Sequence, residues 1–365
     1  MLSYEQPYPY IVKDTEYADA GIPVLTPGKT FILGYTHEAT GVCQASYQAP
    51  KILFDDFLTI SRLVEFDFKV KSSAVKILSP TSNEYNLRYL FYAMSQLRFE
   101  VVDHQRHWIG QFAKLEIAIP SRKEQDKISD ALLSCEKHIT AIQDLITKYE
   151  AIKKATVNLL LKPKCNWHSI KLKEFESHKN NTCSRSLTTT NSGRIRNIHY
   201  GDILVKFKEI LSLKDYRIDC LTNEGELRSP ADYIQDGDII IADTAEDETA
   251  GKVVEMRDVE DNKAVAGLHT VFLRPPKMLF ARGWLGYWMN SKYYHNQLLP
   301  YMTGIKVSSL SKSSLYGTLV FYPSMSEQER IVSVFESINS HISILRIQAA
   351  KLQKLKDGMM SYFFG

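Results

Sequence analysis

Long apolar runs are missing from this sequence. Nowhere do about 18 apolar residues follow one another, so no membrane-spanning helix is expected. Met1 to Tyr10 has neither a positively charged start nor an apolar stretch, which argues against a secretory leader. Cysteine is sparse. The five, Cys43, Cys135, Cys165, Cys183 and Cys220, are odd in number, widely spaced and without a C-x-x-C pair, so a disulfide framework and a zinc ribbon are both poorly supported. A cytoplasmic location follows as the expectation. An excess of one charge is also missing. Lys plus Arg is 45 against 42 for Asp plus Glu, a net +3, so any basic nucleic-acid face must be local. What is present is ordinary globular composition, 44% hydrophobic and 24% charged, in a chain of 365 residues that is long enough for two or three domains.

An internal repeat organises the chain. Pro120-Ser-Arg-Lys-Glu124-Gln125-Asp-Lys-Ile128 returns 203 residues later as Pro323-Ser-Met-Ser-Glu327-Gln328-Glu-Arg-Ile331. The match continues without a gap: Ser134 with Ser337, His138 with His341, Lys153 with Lys356, and Leu159-Leu-Leu161 with Tyr362-Phe-Phe364. Apolar or small residues fall at 128, 132, 135, 139, 142, 146 and 149, and again at 331, 335, 338, 342, 345, 349 and 352, the four–three alternation of a coiled-coil seam. Two long helices pairing antiparallel are expected, with Ile142 and Leu345 buried between them; the alternative is two amphipathic helices on separate cores. A strand-like run precedes each helix, Leu115 to Ile119 and Thr318 to Tyr322.

The segments ahead of the helices read as globules rich in turns and short strands. Leu63 to Val70 is strand-like, and Gly201-Asp-Ile-Leu-Val205 and Gly237-Asp-Ile-Ile-Ile241 both read as a turn entering a strand. Trp167 to Phe175 opens the second globule and has no counterpart ahead of Tyr8. The first globule is therefore expected to be N-terminally incomplete, with an unpaired sheet edge or exposed apolar surface near Tyr8–Ile11 that a second copy or a short separate polypeptide completes. The alternative is a domain that closes without that segment.

Catalytic signatures are weak. Pro23-Val-Leu-Thr-Pro27-Gly28-Lys29-Thr30 ends like a phosphate-binding loop, but two prolines stand where such a cradle needs glycine and free N–H groups. Asp55 and Asp56 are neighbours on a strand pattern and point to opposite faces, which favours a turn role. Asp243, Glu246, Asp247 and Glu248, with Asp261-Asn-Lys263, make a nuclease centre on paper, but they read better as solvated loops between strands. The nearest string to a methyltransferase Asn/Asp-Pro-Pro-aromatic motif is Arg274-Pro-Pro-Lys277, with the wrong flanks.

Basic and aromatic clusters carry more. Arg194, Arg196, Asn197, His199 and Tyr200 form one; His104, Arg106 and His107, followed by Trp108, form another; Lys306 and Ser308 follow Gly304 in a third. Arg and Lys grip guanine edges, Asn adenine edges, and any cation phosphate, so these ten residues are candidate DNA contacts, against the alternative of ordinary surface loops. Lys69, Lys71 and Lys76 read as a solvated strand face. No residue set is assigned to catalysis or to a metal.

The ordered set of motifs resembles the specificity (S) subunit of type I restriction–modification systems. The resemblance rests on the two P-x-x-x-E-Q-x-x-I helices, on Gly237-Asp-Ile-Ile-Ile-Ala-Asp243, Gly251-Lys252, Gly267-Leu-His269-Thr and Gly304-Ile-Lys306, and on Tyr8-Pro-Tyr-Ile11, Gly34-Tyr-Thr36, Phe54-Asp-Asp56 and Phe68-Lys-Val-Lys-Ser-Ser73. It implies an α+β fold with two mixed α/β target-recognition domains, residues 1–119 and 164–322, separated by a long antiparallel two-helix coiled coil, residues 120–163 and 323–365. Each domain would read half of a split site on double-stranded DNA, the helices setting the gap; about 40 helical residues span roughly 60 Å. It further implies a non-catalytic subunit without a cofactor of its own. Two modification (M) subunits would bring S-adenosylmethionine and restriction (R) subunits ATP and Mg²⁺; self-association is a further expectation. Rival readings are a single-chain restriction nuclease or methyltransferase, and a coiled-coil scaffold that does not bind DNA.

Overall fold

The repeated P-S-x-x-E-Q segment shows how each long helix starts. Ser121 Oγ donates to the Glu124 carboxylate at 2.7 Å, which also accepts the Ser121 N–H at 3.0 Å, so the first turn is closed on itself. Gln125, pointing the other way, is 1% exposed. Its Oε1 accepts the Asn86 N–H and its Nε2 donates to the Glu84 and Pro120 carbonyls. Gln328 repeats this, accepting from Ala281 N–H at 2.8 Å and donating to Leu279 and Pro323 carbonyls at 3.2 and 3.0 Å. The computed structural model describes residues 1–28, 30–100, 106–189, 193–222, 232–259, 263–302 and 308–365. The long helices span Arg122–Leu160 and Met325–Phe364 and pack against each other. Among the described residues no helix is long and apolar enough to cross a membrane.

Two compact units share these helices: residues 1–144 with 345–365, and residues 145–344. Each unit takes in a segment of both long helices. In the first unit Leu132 meets Met360 and Glu136 pairs with Lys356 at 2.6 Å; in the second Tyr149 stacks on His341, ring centroids 5.8 Å apart, and Lys164 pairs with Glu327. Numbers rise on one helix as they fall on the other, which is antiparallel pairing. Every seam position named above is buried or half-buried. Leu132, Ile331 and Phe335 are deeply buried where residues of the globules also pack on the seam, and Cys135, Ile139 and Ile342 are buried too, whereas Ile142 and Leu345 are half-buried. The expectation that those two are fully enclosed is therefore corrected: two helices alone cannot shield both sides of a seam.

In the first unit a four-stranded sheet runs in the order Leu2–Glu5, Val75–Pro80, Lys51–Asp55, Ser61–Val64, beside a three-stranded sheet of Ile32–Thr36, Ile22–Leu25 and Lys69–Val70. Near Tyr8–Ile11, Ile11 bridges Val70 while the Tyr8 ring is exposed, and Leu2–Glu5 lies along Val75–Pro80 as the outer strand of its sheet. Lys69 and Lys76 are not a solvated face. Lys69, 2% exposed, donates to the Thr40 and Gly41 carbonyls and pairs with Glu38; Lys76, 1% exposed, donates to Gln6 and pairs with Asp56 at 3.4 Å. Lys71 is exposed, as expected, with its ammonium over the Tyr17 ring. Asp55 caps its own turn through the Phe57 and Leu58 N–H groups, while Asp56 accepts from Trp108 N–H, so the two carboxylates serve different partners.

The second unit has a five-stranded sheet in the order Ile210–Ser212, Val253–Arg257, Ile239–Ala242, Thr270–Arg274, Glu176–His178. A second sheet holds Thr188–Thr189, Cys220–Leu221, Arg196–Ile198 and Ala264–Ala266, and a ribbon pairs His168–Lys171 with Leu319–Tyr322. Gly237 does lead into a strand, but Tyr200–Val205 is a helix. The His199 side chain accepts the Gly201 N–H at 3.1 Å, an N-cap, and burial of Ile203 fixes the turn that local β preference opposed.

The carboxyl of Glu255 is fully enclosed beneath the helix Trp284–Met289. It accepts the Gly283 N–H, and the Gly286 N–H at 2.9 Å. Burial pushes its pKa from the ordinary 4.5 up to about 7, against the pull of those donors. The folded state therefore holds this proton more tightly than the unfolded chain. The stabilisation is complete below about pH 4.5 and is lost as pH rises through about 7. The urea midpoint of the second unit is expected to fall between pH 5 and pH 8, and Glu255→Gln to flatten that dependence; a midpoint rising over this range in the unaltered chain would refute it.

Candidate nucleic-acid interface

Two parallel strands build the main site. Arg196–Ile198 pairs in parallel with Ala264–Ala266, so their C-terminal ends emerge side by side. His199 and Tyr200 leave one strand, Gly267, Leu268 and His269 the other. The approach is close: a Cβ on Gly267 would stand 2.8 Å from Asn197 Oδ1 and 2.9 Å from the Ile198 carbonyl oxygen. His269 adopts the left-handed conformation, φ +56°, where it ends this turn. Its ring lies 5.3 Å from Tyr200, edge to face, and Tyr200 in turn 4.6 Å from His199. With Ser184, Arg185, Gly201 and Leu268 these three line a surface cavity of about 470 Å³.

Local contacts favour one state of the His199 ring. Burial first, and the Arg185 charge second, lower the His199 pKa, which favours the neutral ring. Because Nδ1 accepts from Gly201, the proton of that ring resides on Nε2 as a donor. Arg185 pairs with Asp202 at 2.5 Å yet stays more than half exposed. His269 Nδ1 stands 3.6 Å from Asp243. Guanidinium, imidazole and phenol hydroxyl over one cavity suit base edges and phosphate oxygens.

The ten sequence-derived candidates divide. His199 and Tyr200 line the cavity. Ser308 is tied to it, since Ser308–Ser309 pairs with Thr244–Ala245, and Asp243 receives Thr244 Oγ1 and hands its own N–H to the His269 carbonyl. Arg194 is exposed beside Gly193. Arg196 is half-buried with its Nη1 on the Leu213 carbonyl at 3.0 Å. Asn197 is 1% exposed and held by Asn181 Nδ2 at 2.9 Å. In the first unit Arg106 is exposed with its guanidinium over Phe57, and His107 is buried against Phe99. His104 and Lys306 lie outside the described residues. The acidic residues Glu246, Asp247 and Glu248 form an exposed turn, and among the described residues no cluster of three or more His, Cys, Asp or Glu side chains is placed to hold a metal ion.

No family model matches the chain. A curated relative, the Escherichia coli type I restriction enzyme EcoR124I/EcoR124II specificity subunit, is 42% identical over 177 residues, which is 47% of this chain and 42% of that subunit. The crystal structure of a type I restriction–modification S subunit from M. genitalium has the same fold, with a TM-score of 0.63 across 100% of this chain and 94% of that one at 13% identity. Over the 177 residues matched to the curated relative the chain is similar to a type I restriction–modification specificity subunit, and it spans less than half of that relative's length.

Sequence reasoning did not assign Arg185 and His269 to this candidate interface. His269 had already been singled out within Gly267-Leu-His269-Thr. Its neighbourhood to His199 depends on parallel pairing across about 70 residues of chain, which no local pattern displays.

Proposed function

We propose that this chain is a type I restriction–modification specificity subunit that reads a split site on double-stranded DNA, with residues 1–119 and 164–322 as its two target-recognition domains and the long helices setting the gap between half-sites. The observation that supports this most is the donor-lined cavity at the parallel strand ends, His199, Tyr200, His269 and Arg185. The subunit does no chemistry itself. Modification subunits, two of them, supply S-adenosylmethionine chemistry, and restriction subunits supply ATP- and Mg²⁺-dependent cleavage. Docking of such partners is favoured by apolar side chains left exposed on the outer helix faces at heptad spacing: Leu145, Ile152 and Leu159 in one unit, and Leu355 and Tyr362 in the other.

A gel shift with the subunit and its modification partners tests the reading. Specific binding is expected, with affinity falling steeply with salt at a log–log slope of roughly −5 for about six neutralised phosphates. Tyr200→Ala and His269→Ala should each weaken specific binding by about 1–3 kcal/mol while leaving nonspecific binding nearly unchanged. A flat salt response, or equal loss on specific and random duplex, would contradict it. Cleavage or methylation by the isolated chain with Mg²⁺ and S-adenosylmethionine would favour the single-chain enzyme instead.

A further inference from the structure

The two units are wired alike. In the second, the parallel strands Arg196–Ile198 and Ala264–Ala266 end with Gly267 giving its N–H to the Ile198 carbonyl at 3.0 Å. In the first, Ile22–Leu25 and Lys69–Val70 are also parallel, and Lys71 gives its N–H to the Leu25 carbonyl at 3.0 Å. The Asn181 N–H bonds the Ala266 carbonyl as the Val12 N–H bonds the Val70 carbonyl. Asp243 hands its N–H to the His269 carbonyl and takes the Leu310 N–H on its own carbonyl; Asp56 hands its N–H to the Ala74 carbonyl and takes the His107 N–H. His107 stands 203 residues before Leu310, the offset of the helix repeat.

These matched bonds give equivalences residue by residue. Leu25 stands for Ile198, so Thr26 holds the place of the cavity residue His199. Lys71 stands for Gly267 and Ala74 for His269, with one more residue in the first unit's turn. Arg106 stands for Ser309, the strand neighbour of Ser308. The place of the donor-lined cavity is therefore held in the first unit by Thr26, the Lys71–Ser72 turn and Arg106. Lys71, Ser72 and Arg106 are exposed. The Lys71 ammonium lies 5.2 Å from the centre of the Tyr17 ring, and the Arg106 guanidinium 5.6 Å from that of Phe57. In the second unit's cavity the cation is tied to a carboxylate, Arg185 to Asp202; here rings hold the cations in place and leave their charge whole. A lysine loose in solvent suits a phosphate, which accepts it from any side. One laid along a ring keeps a direction, as reading a base edge requires.

We propose that the first unit meets DNA through this set, and that Lys71 reads the acceptor edge of a guanine in one half of the split site, with Arg106 and the hydroxyls of Thr26 and Ser72 contributing contacts. The assignment rests on the reading of the second unit's cavity as a DNA site. It makes Lys71 a specificity-determining residue rather than part of a solvated strand face. Of the cluster that ends at Trp108 it retains Arg106 and drops the buried His107.

The test is selection of binders from a random-sequence duplex library by the full-length chain assembled with its modification partners. The unaltered assembly is expected to enrich two separate blocks of sequence. Lys71→Gln should lower the preference for a guanine at one position of one block by about tenfold or more and leave the other block as it was. Arg185→Ala, in the second unit, should relax the other block. Lys114→Gln removes an exposed cation elsewhere in the first unit and should relax neither. Lys71 is exposed, so folding is not at issue, and amide exchange across Val75–Pro80 confirms it. Unchanged blocks with Lys71→Gln overturn the proposal, as does relaxation of the block that Arg185→Ala relaxes. Weaker binding by an equal factor on every sequence makes Lys71 a phosphate contact and overturns it too. In each of these cases a block relaxed by Arg185→Ala leaves the reading of the second unit standing. If Arg185→Ala relaxes nothing, or the unaltered assembly enriches no block, that reading falls and this proposal with it.

Discussion

Gln328→Leu is expected to destabilise the second unit by about 3 kcal/mol or more. The side chain is 1% exposed and makes three hydrogen bonds to main-chain groups of the chain leading into Trp284–Met289 and of Pro323. Leucine matches its size but satisfies none of them, leaving one N–H and two carbonyls enclosed, at about 1–3 kcal/mol for each buried group left unpaired. Gln328→Glu should be worse, because a carboxylate keeps the acceptor, loses both donors and adds an enclosed charge. Urea unfolding followed by tryptophan fluorescence reads this directly, since Trp167, Trp284 and Trp288 lie in that unit and Trp108 alone in the other. A loss below about 1 kcal/mol would show that water replaces the glutamine.

Lys76→Met should cost the first unit about 3–5 kcal/mol, the range for stripping one partner from an enclosed ion pair. Both Lys76 and Asp56 are 1% exposed, and Asp56 would keep its charge beside the Trp108 N–H donor. Adding Asp56→Asn to Lys76→Met removes the stranded charge and retains an acceptor for Trp108, so the double variant should be more stable than Lys76→Met alone. Trp108 fluorescence, or amide exchange across Lys51–Asp55 and Val75–Pro80, reports the order of the three proteins. A double variant no better than the single would mean that Lys76 matters for packing rather than charge.

Periodicity and repetition made the helices legible, because a heptad seam and a duplicated start signal are written within the segments that fold by them. The same signals pointed to Gln125 and Gln328 as motif residues without revealing that they clamp the preceding chain. What stayed hidden was set by distant partners. Lys69 and Lys76 look like solvent-facing strand lysines until Glu38 and Asp56 are brought to them. Gly201 to Val205 looks like a strand until the His199 cap and the core around Ile203 decide otherwise. Within the candidate interface, His199 and Tyr200 were legible as a basic and aromatic cluster, whereas the pairing that adds His269 and Arg185 was not.

The half-buried middle of the helix pair has a consequence for how the molecule breathes. Between about residues 140 and 148, and between 344 and 352, the seam lacks the enclosing side chains that Leu132 and Phe335 have. Free energy of opening follows enclosed apolar contact, so these turns should exchange their amide hydrogens sooner than either flank. The longest regular elements of the protein thus have their softest point at mid-length, and protease nicking under native conditions should begin there and not at the helix ends.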